Sequence, residues 1–544
     1  MSDRRIALPF APAVLAVLVL AYSFTGLVGH APWKTEDAIG VGIVHQMLAH
    51  GRWMLPHLAG EPFLEDGPLY YWIAALFARV FSSLLSVHDG ARLASGVLAV
   101  FTLFTVRLTA RKLYGRTEGD NALLVLLGCL GLLVHAHETL AEMAMLAALA
   151  LAWYALALGP GRAVKSGVVL GAALAAAYLS KGSVAVVPPI VVAMLLPLAS
   201  PAWRRRAYLQ TLALAALVYG LAAGSWLAVL HAQSSNLFWQ WTAAQTTAWS
   251  ADAMATLGYY LETLSWSAWP AWPIALWFLW ERRRSLFAPA TRAIQSPGVL
   301  MPLAAAVMTL VVILFQKDPR ELQALPMLLP LSLLAGAGTE TLRRGAANAL
   351  AWFGALTFSL SAGLVWLGWF AMMTGTPAQI ARNFAKLEPG FSPVFRWLPF
   401  LVAVAFTAAW AVLLARSQRG VQRSVSSWAS GITVLWGLLM TLWLPWIDYG
   451  KTYAPVAHAL GRAIPRGAAC IESRNLGESQ RAVFDYHAGV MTKRAEAHGR
   501  GRCPVLLVQA RPGDEDRLSA EGWRRVWEGN RPRDRERYRL YVRR

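Results

Sequence analysis

The stretch LPFAPAVLAVLVLAYSFTGLVG, residues 8–29, is long and apolar enough to cross a membrane. It follows a short basic start and runs into a polar loop that carries Glu36 and Asp37. The loop ends in GEPFLEDGPLYYW, residues 60–72, where the acidic pair Glu65-Asp66 precedes the aromatic run Tyr70-Tyr71-Trp72. Ionisable groups held against a bilayer are costly to dehydrate, so these acids are candidates for a functional site.

The composition predicts a polytopic membrane protein. Of 544 residues, 56% are hydrophobic and only 15% are charged. The net charge of +20 comes from short basic clusters between apolar runs, which is typical of cytoplasmic loops and argues against a nucleic-acid partner. The sequence has no phosphate-binding GxxxxGK[ST], no CxxC and no HExxH, so an ATP-driven pump and a zinc protease are not indicated.

Apolar segments of sufficient length predict about thirteen membrane-spanning helices. They are residues 8–29, 91–111, 122–137, 139–158, 165–180, 184–199, 207–231, 265–281, 298–315, 322–339, 349–374, 396–415 and 428–447. If the N-terminus is cytoplasmic, alternation puts every basic loop inside, as the positive-inside rule requires. These loops are residues 111–116, 162–165, 204–206, 282–284, 343–344 and 416–423. The odd number of spans then places the C-terminal part outside the cytoplasm.

The segment 69–85 would break this alternation if it crossed the membrane. We interpret it as an interfacial helix on the outer leaflet, with Tyr70, Tyr71 and Trp72 at the headgroup level. The alternative is a true second span combined with a span missed elsewhere.

Charge and short β-like runs set the tail apart from the membrane region. We expect a membrane domain at 1–447, with a first outer loop at 30–90, and a small periplasmic α/β domain at 448–544. The predicted strands are residues 469–472, 504–510, 524–527 and 538–542, with a helix at 478–487. Within this domain, Cys470 and Cys503 could form a disulfide or remain two buried thiols.

The predicted outer loops hold the candidate chemistry. A lipid phosphate needs fixed positive charge, which Lys181, Lys317 and Arg320 could supply. An acceptor that attacks a sugar carbon needs a carboxylate to orient it or take its proton. The candidate carboxylates are Glu36, Asp37 and Glu142.

Structural alternatives apply to most of these residues. Lys181 could be a snorkelling interface residue, and Lys317 and Arg320 could pair with neighbouring acids in a solvated turn. Glu36 could cap a helix that begins at Asp37. The histidines of the first loop, together with His135 and His137, match no metal-site spacing and are interpreted as interface residues. No cofactor is assigned, and a divalent metal stays open.

Three segments resemble one family. They are HQMLAHGRWMLPHLAGEPFLEDGPLYYW at 45–72, LSKGSVAVVPP at 179–189 and RELQALPMLLP at 320–330. Together they are similar to the bacterial branch of the protein O-mannosyltransferase superfamily, which includes the aminoarabinose transferase of lipid A. The resemblance implies a GT-C membrane glycosyltransferase that takes a sugar from a polyprenyl-phosphate carrier and passes it, with inversion, to a lipid or glycolipid acceptor.

The resemblance also implies roles for residues of this chain. The family's first acidic pair falls on Glu36-Asp37 and its second acidic position on Glu142. The positions implied for substrate binding are Lys181, Lys317, Arg320, Glu65, Asp66, Tyr70 and Gln323. No metal ligand is implied, and a monomer is expected.

Departures from the family pattern predict a divergent member. Ile39 stands where the family has Arg, Asp66 where it has Lys, and Gln323 where it has Tyr. The expected function is therefore glycosyl transfer, with an amino sugar such as aminoarabinose as one possible substrate. The alternatives are a transporter or flippase for a polar lipid and a non-catalytic lipid-binding paralogue.

Overall fold

A computed structural model describes residues 12–250, 252–287, 293–416, 421–498, 503–510, 522–531 and 534–544. Helices dominate the described residues. The α-helices, α1 to α23 in chain order, are Pro12–Phe24, Glu36–His50, Leu69–Val80, Val87–Leu113, Arg116–Leu127, Leu130–His135, Ala141–Leu158, Ala163–Lys181, Ser183–Ala199, Arg206–Gln233, Ser235–Thr247, Ala253–Ser267, Ala271–Phe287, Pro297–Leu314, Leu328–Gly338, Arg344–Thr374, Ala378–Leu387, Trp397–Arg416, Val421–Leu438, Leu444–Lys451, Ala454–Ala463, Glu478–Ala488 and Ala495–His498. Short 3₁₀ turns are Pro160–Arg162, Pro201–Trp203, Ala293–Gln295, Glu321–Met327 and Thr339–Thr341, and a π-helical segment is Leu439–Trp443.

Nine helical segments in the described residues are long and apolar enough to cross a membrane. Within the described residues, each of the thirteen predicted spans falls mostly on helix, although several of the helices are shorter than 18 residues and the span 265–281 is interrupted between α12 and α13. The predicted span 122–137 is split into α5 and α6, which are separated at Gly128 and Cys129. The chain is thus an α-helical multi-pass membrane protein with a small C-terminal sheet domain, as predicted.

Helix α3 is too short to span a bilayer. Its 12 residues extend about 18 Å at 1.5 Å per residue, which agrees with an interfacial position. The prediction that its tyrosines lie at the headgroup level was wrong, because Tyr70 and Tyr71 are buried inside the protein. Helix α4 follows, with Ser86 as its N-cap accepting from the backbone N–H of Asp89 at 3.3 Å.

The predicted outer loops meet at one end of the helical bundle. The backbone N–H of Gly67 donates to the Ser180 carbonyl at 2.9 Å, and that of Lys317 donates to the Ala248 carbonyl at 3.0 Å. A side chain at Gly67 would collide with the backbone between the two loops, since a Cβ there would lie 2.1 Å from the carbonyl oxygen of Leu179. The bundle end that holds the acids is therefore closely packed.

Residues next to the predicted basic loops also contact one another. The Ser200 hydroxyl donates to the Gln295 carbonyl at 2.7 Å, and the Trp277 indole donates to the Thr341 carbonyl at 3.1 Å. These bonds join loops of the predicted basic group to one another.

The C-terminal domain is built on a five-stranded mixed sheet. Its strands are β3 (Ile471–Arg474), β4 (Lys493–Arg494), β5 (Val505–Ala510), β6 (Trp523–Gly529) and β7 (Arg537–Arg543), while β1 (His57–Leu58) and β2 (Glu61–Pro62) form a hairpin in the first loop. The sheet order is β4-β3-β5-β7-β6, with β4, β3 and β5 parallel and β7 antiparallel to both β5 and β6. Strand β5 is apolar and almost wholly buried, as expected at the centre of a sheet covered on both faces.

This domain packs on the first loop. Ala38 of α2 belongs to the domain's hydrophobic core, and a side chain at Gly42 would lie 2.7 Å from the Cβ of Ala482 in α22. Glu61 receives Arg481 at 3.1 Å and Arg494 at 2.6 Å. Cys470 and Cys503 form a disulfide, which confirms the bridged alternative.

Candidate active site

A cavity of about 320 Å³ lies at the bundle end where the predicted outer loops meet. Six parts of the chain contribute to it: the start of α2, the loop before α3, the start of α7, the α8–α9 turn, the end of α11 and the segment around the start of the 3₁₀ turn at 321–327. Its charged and amide-bearing lining residues are Glu36, Glu65, Asp66, Glu142, Lys181, Gln245, Gln316, Lys317, Asp318, Arg320 and Gln323. Of the predicted site residues, only Asp37 and Tyr70 are missing from this lining.

Glu36 is the carboxylate that is free to react. It is the first residue of α2 and lines the cavity, and no hydrogen bond or ion pair engages its carboxyl group among the described residues. Burial and the nearby Glu142 raise the pKa of Glu36 to about 7. A carboxyl group with this pKa can take up a proton near neutral pH, as a general base must.

Asp37 is a structural residue, which corrects its assignment as catalytic. The side chain of Arg92, wholly buried in α4, donates to Asp37 at 2.7 Å from Nη2 and at 3.1 Å from Nε. Thr139 donates to the same carboxylate from its backbone N–H at 3.0 Å and from its hydroxyl at 2.9 Å, and the Trp33 N–H adds a further bond at 3.2 Å. Burial opposes the charge on Asp37, but Arg92 outweighs it and holds the pKa of Asp37 well below its usual range.

Lys181 is bound by two carboxylates. Its Nζ lies 2.5 Å from Asp66 and 2.8 Å from Glu142, and the Tyr71 hydroxyl donates to Asp66 at 2.6 Å. The Lys181 side chain is 18% exposed, so it does not snorkel to the surface. The lysine that the family has at position 66 is thus replaced by an acid that neutralises Lys181. Tyr70, predicted as a substrate-binding residue, instead shares a hydrogen bond with Ser95 at 2.6 Å, away from the cavity.

The rim of the cavity carries two further cations. Arg320 makes a two-point ion pair with Glu65, at 2.8 and 3.2 Å, and both side chains are about half exposed. Lys317 is exposed, and no ion pair engages it within the described ranges. Lys317 is therefore the cation that is available to a ligand.

Gln323 lies in the wall with its amide engaged. Its Oε1 accepts from the Arg320 N–H at 3.2 Å and from the Tyr260 hydroxyl. These bonds fix the start of the 3₁₀ turn, so Gln323 acts on the shape of the wall more than on a ligand.

The histidines of this end do not form a metal site in the cavity. His137 is buried, and its ring nitrogens contact the backbone carbonyls of Leu133 and Tyr22, both at 2.6 Å. His135 lies between Glu138, at 2.9 Å, and Glu321, at 3.1 Å. His135 thus joins two loops of the site through hydrogen bonds.

Comparison with known proteins identifies the architecture. The profile of the family described as dolichyl-phosphate-mannose-protein mannosyltransferase matches residues 65–227. An undecaprenyl phosphate-alpha-4-amino-4-deoxy-L-arabinose arabinosyl transferase of Pseudomonas aeruginosa is 27% identical over 78% of this chain and 75% of the relative. A protein of the same name from Sodalis glossinidius is 28% identical over 60% of this chain and 58% of the relative.

Solved structures share the fold over nearly the whole length. The apo structure of ArnT from Cupriavidus metallidurans covers 97% of both chains with a TM-score of 0.70 and 17% identity. The structure of ArnT bound to undecaprenyl phosphate covers the same shares with a TM-score of 0.69 and 16% identity. The chain therefore has the ArnT-like GT-C fold.

The cavity of this GT-C protein carries more acids than cations. Its carboxylates are Glu36, Glu65, Asp66, Glu142 and Asp318, and its cations are Lys181, Lys317 and Arg320. A formal excess of two negative charges follows if all the acids are ionised. A phosphate alone is a poor match for this lining, whereas a ligand that also carries a positive group matches it better.

A narrow apolar crevice adjoins the cavity of the GT-C protein, between α7, α9 and α14. Its volume is about 30 Å³, compared with about 320 Å³ for the cavity.

Sequence reasoning missed three residues of the GT-C site. Arg92 could have been found as a charge at the outer end of a predicted span. Tyr71 and Gln245 line the cavity but carry no signal in the sequence. Gln245 matters locally because its Oε1 accepts from the Ser183 N–H at 2.8 Å, at the turn after Lys181.

Proposed function

We propose that this chain is an inner-membrane glycosyltransferase that moves a sugar from a polyprenyl-phosphate carrier to a lipid or glycolipid acceptor, such as lipid A. Names of the curated relatives support this, since they state an undecaprenyl-phosphate-linked donor. One observation supports the choice of catalytic and phosphate-binding residues. Glu36 and Lys317 line the same cavity, and neither side chain makes an ion pair among the described residues.

The reaction follows from the positions of these groups. Glu36 takes the proton from an acceptor oxygen, and that oxygen attacks the anomeric carbon of the sugar. The bond between this carbon and the carrier phosphate breaks, and the sugar is inverted at that carbon. Lys317 stabilises the charge that develops on the departing phosphate. Arg320 assists when the phosphate displaces Glu65 from its exposed ion pair.

Glu142 and Asp66 hold the site together in this mechanism. Both bind Lys181, so the charge of this lysine is already neutralised before any ligand enters. Removing one acid leaves a buried lysine with a single partner, and a buried charge that loses its partner is strongly destabilising. Their proposed role is therefore to position Lys181 and the α8–α9 turn.

An amino sugar is the donor that the charges favour. The cavity has two more carboxylates than cations, and an amino group on the sugar would be protonated and attracted to the acids. The phosphate of the same donor would lie at Lys317. The donor thus has a positive amino group for the carboxylates and a negative phosphate for Lys317. This charge match supports an amino sugar over a neutral hexose.

The proposed placement in the membrane follows the charge pattern. The N-terminus is cytoplasmic, the cavity and the C-terminal domain are periplasmic, and the membrane domain ends near residue 447. A thiol-labelling map with single cysteines at positions 36 and 317 tests this placement. Labelling of the two from opposite sides of the membrane would remove the proposed site.

A non-catalytic lipid-binding role is the second candidate. It is favoured by the ion pairs that already occupy Lys181 and Arg320. It predicts that the carrier lipid binds without turnover. A polar-lipid flippase has no comparable observation in its favour.

Mass spectrometry separates these functions. Lipid A, glycolipids and envelope proteins are compared between cells with the chain, cells without it and cells with the Glu36→Gln variant. The proposal predicts an amino-sugar-sized mass on an envelope lipid that is present only with the unaltered chain. Identical spectra in all three strains would favour the non-catalytic role.

A further inference from the structure

Two histidines and a carboxylate meet where the C-terminal domain packs on α2. His45 and His50 come from the last turns of α2, and Asp485 comes from α22. One ligand atom from each residue lies within 4.8 Å of the others. Asp485 is more than 400 positions from the two histidines in the chain, so the folded junction brings it to them.

The junction is built to hold these groups in place. Helices α2 and α22 approach closely at Gly42 and Ala482. The Gln46 side-chain amide donates to the buried carboxylate of Asp485 at 2.5 Å, and this bond fixes the carboxylate orientation. A hydrogen bond of this kind to a ligating group strengthens metal binding.

A polar atom beside the cluster lacks a partner. The Oε1 atom of Gln46 is buried without a hydrogen bond in the part of the chain that the structure describes. Its amide nitrogen already binds Asp485, so the unpaired oxygen lies next to the cluster. A water molecule held by an ion would supply the donor that this oxygen lacks.

The ligand set selects the class of ion. Two imidazoles and one carboxylate suit zinc and neighbouring first-row metals, whereas calcium and magnesium prefer oxygen ligands alone. Three protein ligands leave a position for water on a tetrahedral ion. His50 is exposed, which gives an ion a path to the site from solvent.

We propose that His45, His50 and Asp485 form a zinc site that joins the C-terminal domain to α2. The three residues lie outside the lining of the cavity, and the site does not depend on the proposed glycosyl transfer. Its role is structural: the ion connects the domain to the helix whose first residue is Glu36.

Zinc binding to the full-length chain tests this proposal. The protein is purified in detergent, freed of any polyhistidine tag, stripped with chelator and titrated with Zn²⁺ against a chromophoric competitor. One equivalent should bind, and His45→Ala and Asp485→Asn should each weaken binding by at least about 100-fold, since each removes a direct ligand. The matched control is His231→Ala, because His231 is an exposed histidine that contacts Phe238, and it should bind zinc as the unaltered chain does.

Cobalt gives a second readout that requires no substitution. Co²⁺ bound to the unaltered chain should show the intense visible absorption of a four-coordinate ion, and one equivalent of Zn²⁺ should abolish it. The proposal is overturned if the unaltered chain binds no zinc, if the variants bind it equally well, or if the His231→Ala control loses it too.

Discussion

Replacing Glu36 by Gln should stabilise the protein above neutral pH while it removes the base. Burial and Glu142 raise the pKa of Glu36 to about 7 from the ordinary value of 4.5. The folded state therefore holds a proton on Glu36 that the unfolded chain releases above pH 4.5. The free energy of unfolding of the unaltered chain therefore falls as the pH rises from 4.5 through 7, and it stays at the lower level above that range.

The size of this effect follows from the pKa difference. A shift from 4.5 to about 7 corresponds to about 3 kcal/mol at 1.36 kcal/mol per pKa unit. Unfolding entropies of about 2 cal/mol/K per residue give about 1 kcal/mol/K for a chain of 544 residues. The Tm of Glu36→Gln should thus equal that of the unaltered chain near pH 4 and exceed it by about 3 °C above pH 8.

Thermal unfolding in detergent across pH 4 to 9 measures this difference. The control is Glu262→Gln, which changes an exposed carboxylate of α12 and should give a Tm difference that does not vary with pH. If the Glu36→Gln difference is also independent of pH, Glu36 does not carry the raised pKa, and its suitability as a base is lost.

Three further changes test other parts of the account. Asp37→Ala should cost about 3 kcal/mol of stability because it leaves buried Arg92 with Asp89, at 3.2 Å, as its remaining carboxylate partner, and equal Tm values would show that the Arg92–Asp37 pair is not structural. The double change Cys470→Ser and Cys503→Ser should lower the stability of the C-terminal domain by about 3–4 kcal/mol, from the chain-entropy relation for a separation of 33 residues. Limited proteolysis should then cleave this domain faster, and an unchanged cleavage rate would show that the disulfide does not stabilise it. Lys317→Gln should raise KM for the donor about tenfold, the effect of losing about 1.5 kcal/mol of charge-assisted binding, and an unchanged KM would exclude Lys317 as the phosphate ligand.

Local patterns in the sequence predicted much of the fold. The strand predicted at 504–510 is observed as β5 at Val505–Ala510, and the helix predicted at 478–487 is observed as α22 at Glu478–Ala488. Alternation and helical periodicity are local properties, so one sequence suffices to reveal them. The two-residue strand β4 was missed because it is too short to show alternation.

The division of roles between Glu36 and Asp37 could not be predicted. Adjacent residues on a helix point about 100° apart, so one faces the cavity while the other faces α4. Which one does so depends on Arg92, 55 positions from Asp37. Lys181 pairs with Asp66, which lies 115 positions away in the chain. This pair likewise could not be predicted without the tertiary structure.

Glycosyl transfer by the Glu36→Gln variant in proteoliposomes tests the central claim most directly. With a polyprenyl-phosphate amino sugar as donor, kcat should fall by about 10²–10⁴-fold, whereas Glu262→Gln should match the unaltered chain. A kcat for Glu36→Gln within twofold of the unaltered chain would contradict the assignment of Glu36 as the base.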